Sequence, residues 1–278
     1  MTTAPIRLDV EGAAPAPPSW MTRHSLRLKS FFLGLLGAII LLVGAELVVV
    51  AGVIPEVDVP RVTTVIGELA HQVGESDFWS TVWLTAKHAV VGLAIAILVG
   101  IPIGVSMGAN RIFRAALQPT VEFVRVVPGL ALVPLATAIW GPVDAAAVFL
   151  VAFACTWIIV VQTMHGIESL DPQLLVTAHA FRISGKERLT SIIVPGAMPY
   201  VVTGVKIAVA IALIVAVGSE LIIGAPGIGT EIRMAQQATD LPTMWALVVA
   251  AGVVGLIGSL FTYLLERLTL RWQQAGGN

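Results

Sequence analysis

The residues able to carry chemistry are few, and most lie inside long apolar runs. Glu122 and Arg125 stand three apart, a spacing that puts both on one helix face, where they can neutralise each other. Beside Pro128, which would distort that helix, the pair reads either as a structural ion pair or as part of a gate or solute pathway. Lys206, two turns into a later apolar run, could reach back toward water or face the same pathway. Glu220, near the end of that run, could line its mouth. Lys87 and His88 are placed to snorkel, and Glu46 receives no role from the sequence. An ionisable group at such depth costs on the order of 2.5–3.5 kcal/mol on insertion scales, so each calls for a reason. Their chemistry is the placement of charge.

Motifs for bond making are missing from the sequence. There is no Gly-x-x-x-x-Gly-Lys-Ser/Thr phosphate loop; Gly185-Lys186 is followed by Glu187 and lacks the upstream glycine. His-Glu-x-x-His is absent, and His24, His71, His88, His165 and His179 have no metal-binding spacing. No nucleophile-elbow serine occurs. Cys155, the single cysteine, excludes an internal disulfide or cysteine cluster and reads as a small core residue. No enzyme activity, metal, cofactor or nucleic acid is expected of this chain.

The elements that position these residues are membrane helices. Of 278 residues 57% are hydrophobic and 12% charged, with mean hydropathy +0.91; a soluble domain carries about 25% charged residues. Six stretches approach the roughly 20 apolar residues a bilayer core demands: 31–54, 78–107, 119–140, 144–165, 198–223 and 243–266. Gly141-Pro142-Val143 makes a hairpin of the third and fourth. The first run is too long for a signal core and follows about 30 polar, proline-rich residues, so it is expected to stay as a span behind a disordered tail. Basic residues set topology. Outside the spans, Arg7, Arg23, Arg27, Lys29, Arg111, Arg114, Arg182, Lys186, Arg188, Arg267 and Arg271 fall on one side, against only Arg61 and Arg233 on the other. Eleven against two places both termini in the cytoplasm, and the outer loop with Glu56, Asp58, Glu68, Glu75 and Asp77 agrees.

Between the fourth and fifth spans, residues 168–196 are too long and too apolar for a plain connector. Asp171-Pro172 starts a helix, with Asp as N-cap and Pro at the first position. Leu174, Leu175, Ala178 and Phe181 recur at helical spacing. Ser184-Gly185-Lys186-Glu187 is a capping box for a second short helix with an apolar face of Leu189, Ile192 and Ile193, and Pro195 and Pro199 are expected to end it. Such a pair either lies on lipid or docks a soluble partner; periodicity leaves both open. Gly100, Gly104 and Gly108 repeat every four residues, which brings two helices close in lipid; Gly252, Gly255 and Gly258 suggest another close contact.

The run from Asp171-Pro172-Gln173-Leu174-Leu175-Val176-Thr177-Ala178-His179-Ala180-Phe181-Arg182 to Ile192-Ile193-Val194-Pro195 and Pro199-Tyr200 resembles the "EAA" loop of ABC-importer permeases, closest to the nitrate/sulfonate/taurine-type branch. Gly100-Ile101-Pro102-Ile103-Gly104, Arg125-Val126-Val127-Pro128, Ser219-Glu220-Leu221 and 224–229 extend the resemblance over about 78–270. The resemblance implies an all-α type I importer fold in the cell membrane: a tail 1–30, a first span with outer loop 31–77, a permease domain 78–270 with coupling loop 168–196, and a tail 271–278. It also implies that the loop enters a groove on a cytoplasmic ATPase, which binds ATP and Mg. A second permease chain, identical or different, and an extracytoplasmic solute-binding protein complete the assembly. The docking residues would be Val176, Thr177, Ala178, His179, Ala180, Phe181, Arg182, Ser184, Gly185 and Lys186. Val176 stands where the family usually has Glu, Thr177 where it has Ala, and Arg182 where it has Gly. The left-handed turn that glycine provides is therefore expected later, at Ser184-Gly185. The rival reading is a self-sufficient carrier or channel using Glu122, Arg125 and Glu220, although no internal repeat supports it.

Overall fold

The computed structural model describes the backbone of residues 20–269, and side chains from 32 to 267 except Leu175 and His179. The tails on either side, with Arg7 and Arg271, lie outside the described residues. Every element is helical; no strand occurs among the described residues. Two compact units divide at Val62 and Thr63. The first holds α1, Trp20–Val50. Apart from Glu46, its stretch Phe32–Val50 is apolar, as a helix facing hydrocarbon should be. The second unit begins at Thr63 and so includes residues 63–77, which the sequence reading grouped with the first span.

The second unit starts with a short amphipathic helix, α2 (Val62–Val73), and then α3 (Ser76–Ala109), α4 (Arg111–Val124) and α5 (Val133–Trp140). The long α6 (Asp144–Glu168) follows, then α7 (Pro172–Ala180) and α8 (Gly185–Arg188). A π turn, Leu189–Ile193, leads into α9 (Val194–Ile223), followed by α10 (Ile228–Gln237) and α11 (Leu241–Thr269). Among the described residues five helices are long and apolar enough to cross a membrane, or six if α4 and α5 form one broken span.

That broken span corrects the expected continuous helix over 119–140. Alpha4 and the segment ending in α5 meet at 84°. Pro128 is extended (φ −62°, ψ 124°) and disfavours helical geometry at Val127 before it. The chain recovers through a 3₁₀ turn, Gly129–Leu132, and enters α5 with Pro134 in its first turn. The next turn is left-handed at Gly141 (φ +78°).

Alpha3, α6 and α9 form the core, and their packing is set by small side chains. A Cβ on Gly92 would stand 2.6 Å from Val151 Cβ, on Gly104 2.6 Å from Thr163 Cβ, and on Gly108 2.7 Å from Ile167 Cβ. Gly100 faces Ile159 in the same row. The glycine stripe thus seats α3 on α6 within one chain. Ala96, Ala146, Ala147, Ala208, Ala212 and Ala216 are all buried in this core, so backbones approach closely where apolar burial gives no drive between helices in lipid. Cys155 is buried there too, its Sγ 3.4 Å from Ala208 O. On α11, by contrast, a Cβ on Gly252 or Gly255 meets nothing within 4 Å; only Gly258 approaches a neighbour, through Leu213 and Val209 of α9.

A buried polar knot fixes the far end of α9. Glu220 is fully buried. Its Oε2 accepts from Thr85 Oγ1 (2.9 Å) and from the backbone N–H of Gly229 (3.0 Å), and its Oε1 lies 2.8 Å from His88 Nδ1. Thr85 Oγ1 in turn accepts from Ile228 N (2.8 Å). His88 Nε2 is 3.3 Å from Asp144 Oδ1 but off the hydrogen-bond axis, so that contact is electrostatic. Lys87 Nζ donates to Asp144 Oδ2 at 2.9 Å. His88 therefore does not snorkel, as the sequence reading expected; it is an interior ligand of Glu220. Gly224, left-handed at φ +84°, ends α9 by donating to Glu220 O. Gly227 and Gly229 then press against the Glu220 side chain with no room for a Cβ, and the chain returns as α10.

Two outcomes follow in detergent-solubilised protein. Gly104→Leu should lower stability by about 1–3 kcal/mol through overpacking, whereas Gly255→Ala should not; thermal unfolding reads the difference. Glu220→Ala, which leaves His88, the Thr85 hydroxyl and the Gly229 N–H buried without their acceptor, should cost about 3–5 kcal/mol, seen as a lower midpoint and as proteolysis near 224–229.

Candidate functional site

At the opposite end of the bundle the connection between α6 and α9 is an ordered structure. Asp171 Oδ1 accepts from Gln173 N (2.8 Å), and Pro172 opens α7, as Asp-Pro at a helix start should. The helix ends with Phe181 N donating to Thr177 O and Ile183 N to Ala178 O, both 3.0 Å. That six-to-one closure needs a left-handed residue just before its donor, and Arg182 supplies it with φ +54°. The turn therefore falls on Arg182 itself, not on Ser184-Gly185; hydrogen-bond closure dictates its place even though a non-glycine residue there costs about 1–2 kcal/mol. Ser184 instead caps α8, its Oγ accepting from Glu187 N at 3.2 Å.

Alpha8 is not a separate helix ended by prolines. Residues 185–223 form one continuous helical span, with Pro195 near the start of α9 and Pro199 inside it. Val194 N donates to Leu189 O, the wide π register, and this turn accommodates the donor that Pro195 lacks. Apolar contacts root the connection: Leu170 fills the space beside Gly196, and Ile167, Ile193 and Ala197 cluster with Val105 and Leu170. An ion pair joins Arg114 to Glu168. Arg114 also donates to Met107 O and Gly108 O at 3.1 Å, so the ends of α3 and α6 and the start of α4 are tied.

On this base α7 buries Ala178 (2% exposed) and presents Val176 (69%) and Phe181 (77%) outward. Thr177, Ala180, Arg182, Ser184, Gly185 and Lys186 are also exposed; the side chain of His179 lies outside the described residues. Apolar groups held out on a rigid base are suited to a protein partner.

The charged candidates within the spans separate rather than converge. Glu122 accepts from Gln118 Nε2 at 2.9 Å, and no ion pair joins it to Arg125, because α4 ends at Val124 and Arg125 already belongs to the break before Pro128. Arg125 lines a concavity of about 350 Å³ with Val126, Trp157, Ile158, Val161 and Gln162. Lys206 bonds Glu266 at 2.9 Å and lies 5.5 Å from the Tyr263 ring centre, linking α9 to α11. Glu220 is interior and lines no mouth in this structure. Thr85, Asp144, Gln162 and Glu266 did not emerge from the sequence; the spacing of Thr85 and His88, one helical turn apart, was the available signal for the first.

Residues 96–271 match the family model described as binding-protein-dependent transport system inner membrane component. A probable ABC transporter permease protein of Brucella abortus is 29% identical over 91% of this chain and 98% of its own length. The bicarbonate transport system permease protein of Synechococcus elongatus is 30% identical over 70% of each chain. The nitrate import permease protein of a Synechocystis species is 27% identical over 69% of this chain and 70% of its own. Among solved structures, a chain of the MetNI methionine ABC transporter in inward-facing conformations superposes with a TM-score of 0.62 at 16% identity, covering 69% of this chain and 96% of that one. The fold is thus that of a type I importer permease, and the chain belongs to the binding-protein-dependent transport system inner membrane components, within the nitrate/sulfonate-type branch of ABC permeases.

Proposed function

We propose that this chain is the pathway-forming subunit of an ATP-driven importer, and that α7 is the lever through which a separate ATPase moves it. The observation that carries the reading is the outward placement of Val176 and Phe181 on a short helix whose base is fixed into α6 and α9. A helix lying on lipid would need no such anchorage, while force transmission does. ATP and Mg belong to the partner, since the sequence has no phosphate loop. A second permease chain completes the pathway, and an external binding protein delivers the solute. The basic-residue asymmetry supports a cytoplasmic position for α7 and both termini. Relatives named for bicarbonate and nitrate support a small anion as the solute.

The cycle follows from these parts. Closure of the ATPase on nucleotide displaces α7. Because α8, the π turn and α9 are continuous, the displacement reaches α9 along its whole length, and the cavity between two permease chains changes the side on which it opens.

Two measurements test the lever. In the complete complex in proteoliposomes, Phe181→Asp should reduce ATP-dependent uptake at least about tenfold, equivalent to about 1.4 kcal/mol of coupling, and release the ATPase on purification, while helix content is unchanged. Uptake that persists at the normal rate overturns the lever. Arg182→Gly should relax the turn by up to about 1–2 kcal/mol and keep uptake, whereas Arg182→Val, β-branched at positive φ, should lower it.

A further inference from the structure

We infer that Arg125 and Gln162 form a contact point for the solute inside the membrane, one that holds an oxyanion. The inference rests on the importer reading above and names residues for it.

Three observations converge. First, the chain breaks at Arg125, between α4 and the 3₁₀ turn, and turns by 84°. Unwound backbone at membrane depth is tolerated only where protein covers it or where it lines a wet cavity. Here Val126 is exposed, and the break borders the concavity of about 350 Å³, a size suited to a small ligand.

Second, several other basic groups of the bundle are already matched: Lys87 and His88 with Asp144 and Glu220, Lys206 with Glu266, Arg114 with Glu168. Arg125 has no ion pair and no side-chain hydrogen bond among the described residues. The one carboxylate within a turn of it, Glu122, is held by Gln118 and is not part of the lining. An unmatched guanidinium presents five donors in a planar fork that fits two oxygens of one anion.

Third, the facing polar group is an amide. The side chain of Gln162 on α6 likewise makes no hydrogen bond among the described residues, and its –NH₂ adds donors to the same space. With no carboxylate in the lining, a cation would find repulsion and an oxyanion would find donors. The stem of Gln162 packs on α9: a Cβ on Gly204 would stand 2.9 Å from Gln162 Cβ and 3.3 Å from its Cγ. Alpha9 is the helix joined to the docking loop, so the lever and the contact point share an element. Displacing α9 shifts the surface against which Gln162 rests and alters its distance from Arg125, which converts a holding geometry into a releasing one.

An anionic lipid phosphate offers the same chemistry as a free oxyanion, and the test separates them. The full complex, reconstituted in vesicles of zwitterionic lipid alone and in vesicles containing anionic lipid, is assayed for uptake of nitrate, bicarbonate and methanesulfonate. Arg125→Gln should cut uptake of the transported probe at least about tenfold, the scale of one charge-assisted bidentate contact, in both lipids, with assembly and ATP hydrolysis intact. Arg125→Lys should recover part of it with a raised half-saturating concentration, and Gln162→Leu should give a smaller loss. Unchanged uptake by Arg125→Gln overturns the assignment. So does a loss confined to anionic vesicles, which gives the guanidinium to lipid phosphate, or a loss explained by separation of the two permease chains. A complex that takes up none of the three anions but accumulates a neutral or cationic solute with ATP overturns it as well and leaves the importer reading standing. Uptake that proceeds without the ATPase sinks the importer reading instead.

Discussion

A carboxylate shut away from water must find its hydrogen bonds within the protein, since an unpaired charge in that setting is far costlier than an unpaired dipole. Glu220 finds them on two elements: the Thr85 hydroxyl and His88 ring of α3 and the Gly229 amide of α10. Through the other ring nitrogen the same histidine reaches Asp144 at the head of α6. Four segments distant in sequence are thereby placed relative to one oxygen pair. The two glycines that press on the side chain, Gly227 and Gly229, are the reason the chain can double back so tightly. Thr230 adds to the knot, its hydroxyl lying 3.0 Å from Glu220 O and 2.6 Å from Ala225 O. Everything nearer the docking end inherits its position from this anchorage and from the glycine row of α3.

These two devices divide the labour by distance. The glycine row works through dispersion alone: without side chains, α3 lies directly on Val151, Ile159, Thr163 and Ile167 of α6, and many weak atom pairs accumulate at short range. The knot works through few, directional bonds. A core made of alanines and glycines resists deformation, so the bundle transmits displacement at one end to the other instead of absorbing it. The break between α4 and α5 is the departure from this regularity, and it lies beside the concavity that Arg125 and Gln162 line.

Much of this was readable from residue order because lipid simplifies the rules. Long apolar runs, the asymmetry of Lys and Arg, and the Asp171-Pro172 and Ser184 caps depend on local chemistry, and the spans and caps appear in the structure near where local chemistry puts them. The glycine stripe was legible as a close contact, but its partner was not, since only the fold says that α6 supplies it. Failures arose where a distant group or a longer-range geometry decided. Pro128 announced a distortion but not an 84° turn. Pro195 and Pro199 looked like stops, yet a π turn carried the helix past them. Arg182 looked unsuited to a left-handed turn, and the closing bonds of α7 placed it there regardless. His88 and Glu220, 132 residues apart, looked like unrelated polar groups at helix edges; no local pattern could have announced their pairing.

The uninterrupted rod from Gly185 to Ile223 comprises 39 residues, or roughly 55–60 Å at about 1.5 Å per residue, nearly twice the about 30 Å of a hydrocarbon core. Such a beam cannot fit upright within the bilayer, so it either leans or leaves a stub standing clear of the lipid. Clamped at Glu220 and joined to the docking loop at its foot, it behaves as a long arm: a sideways shift of a few ångströms at the foot becomes a rotation of only a few degrees. The membrane therefore has to accommodate little, and a modest push is spread over the full thickness of the barrier.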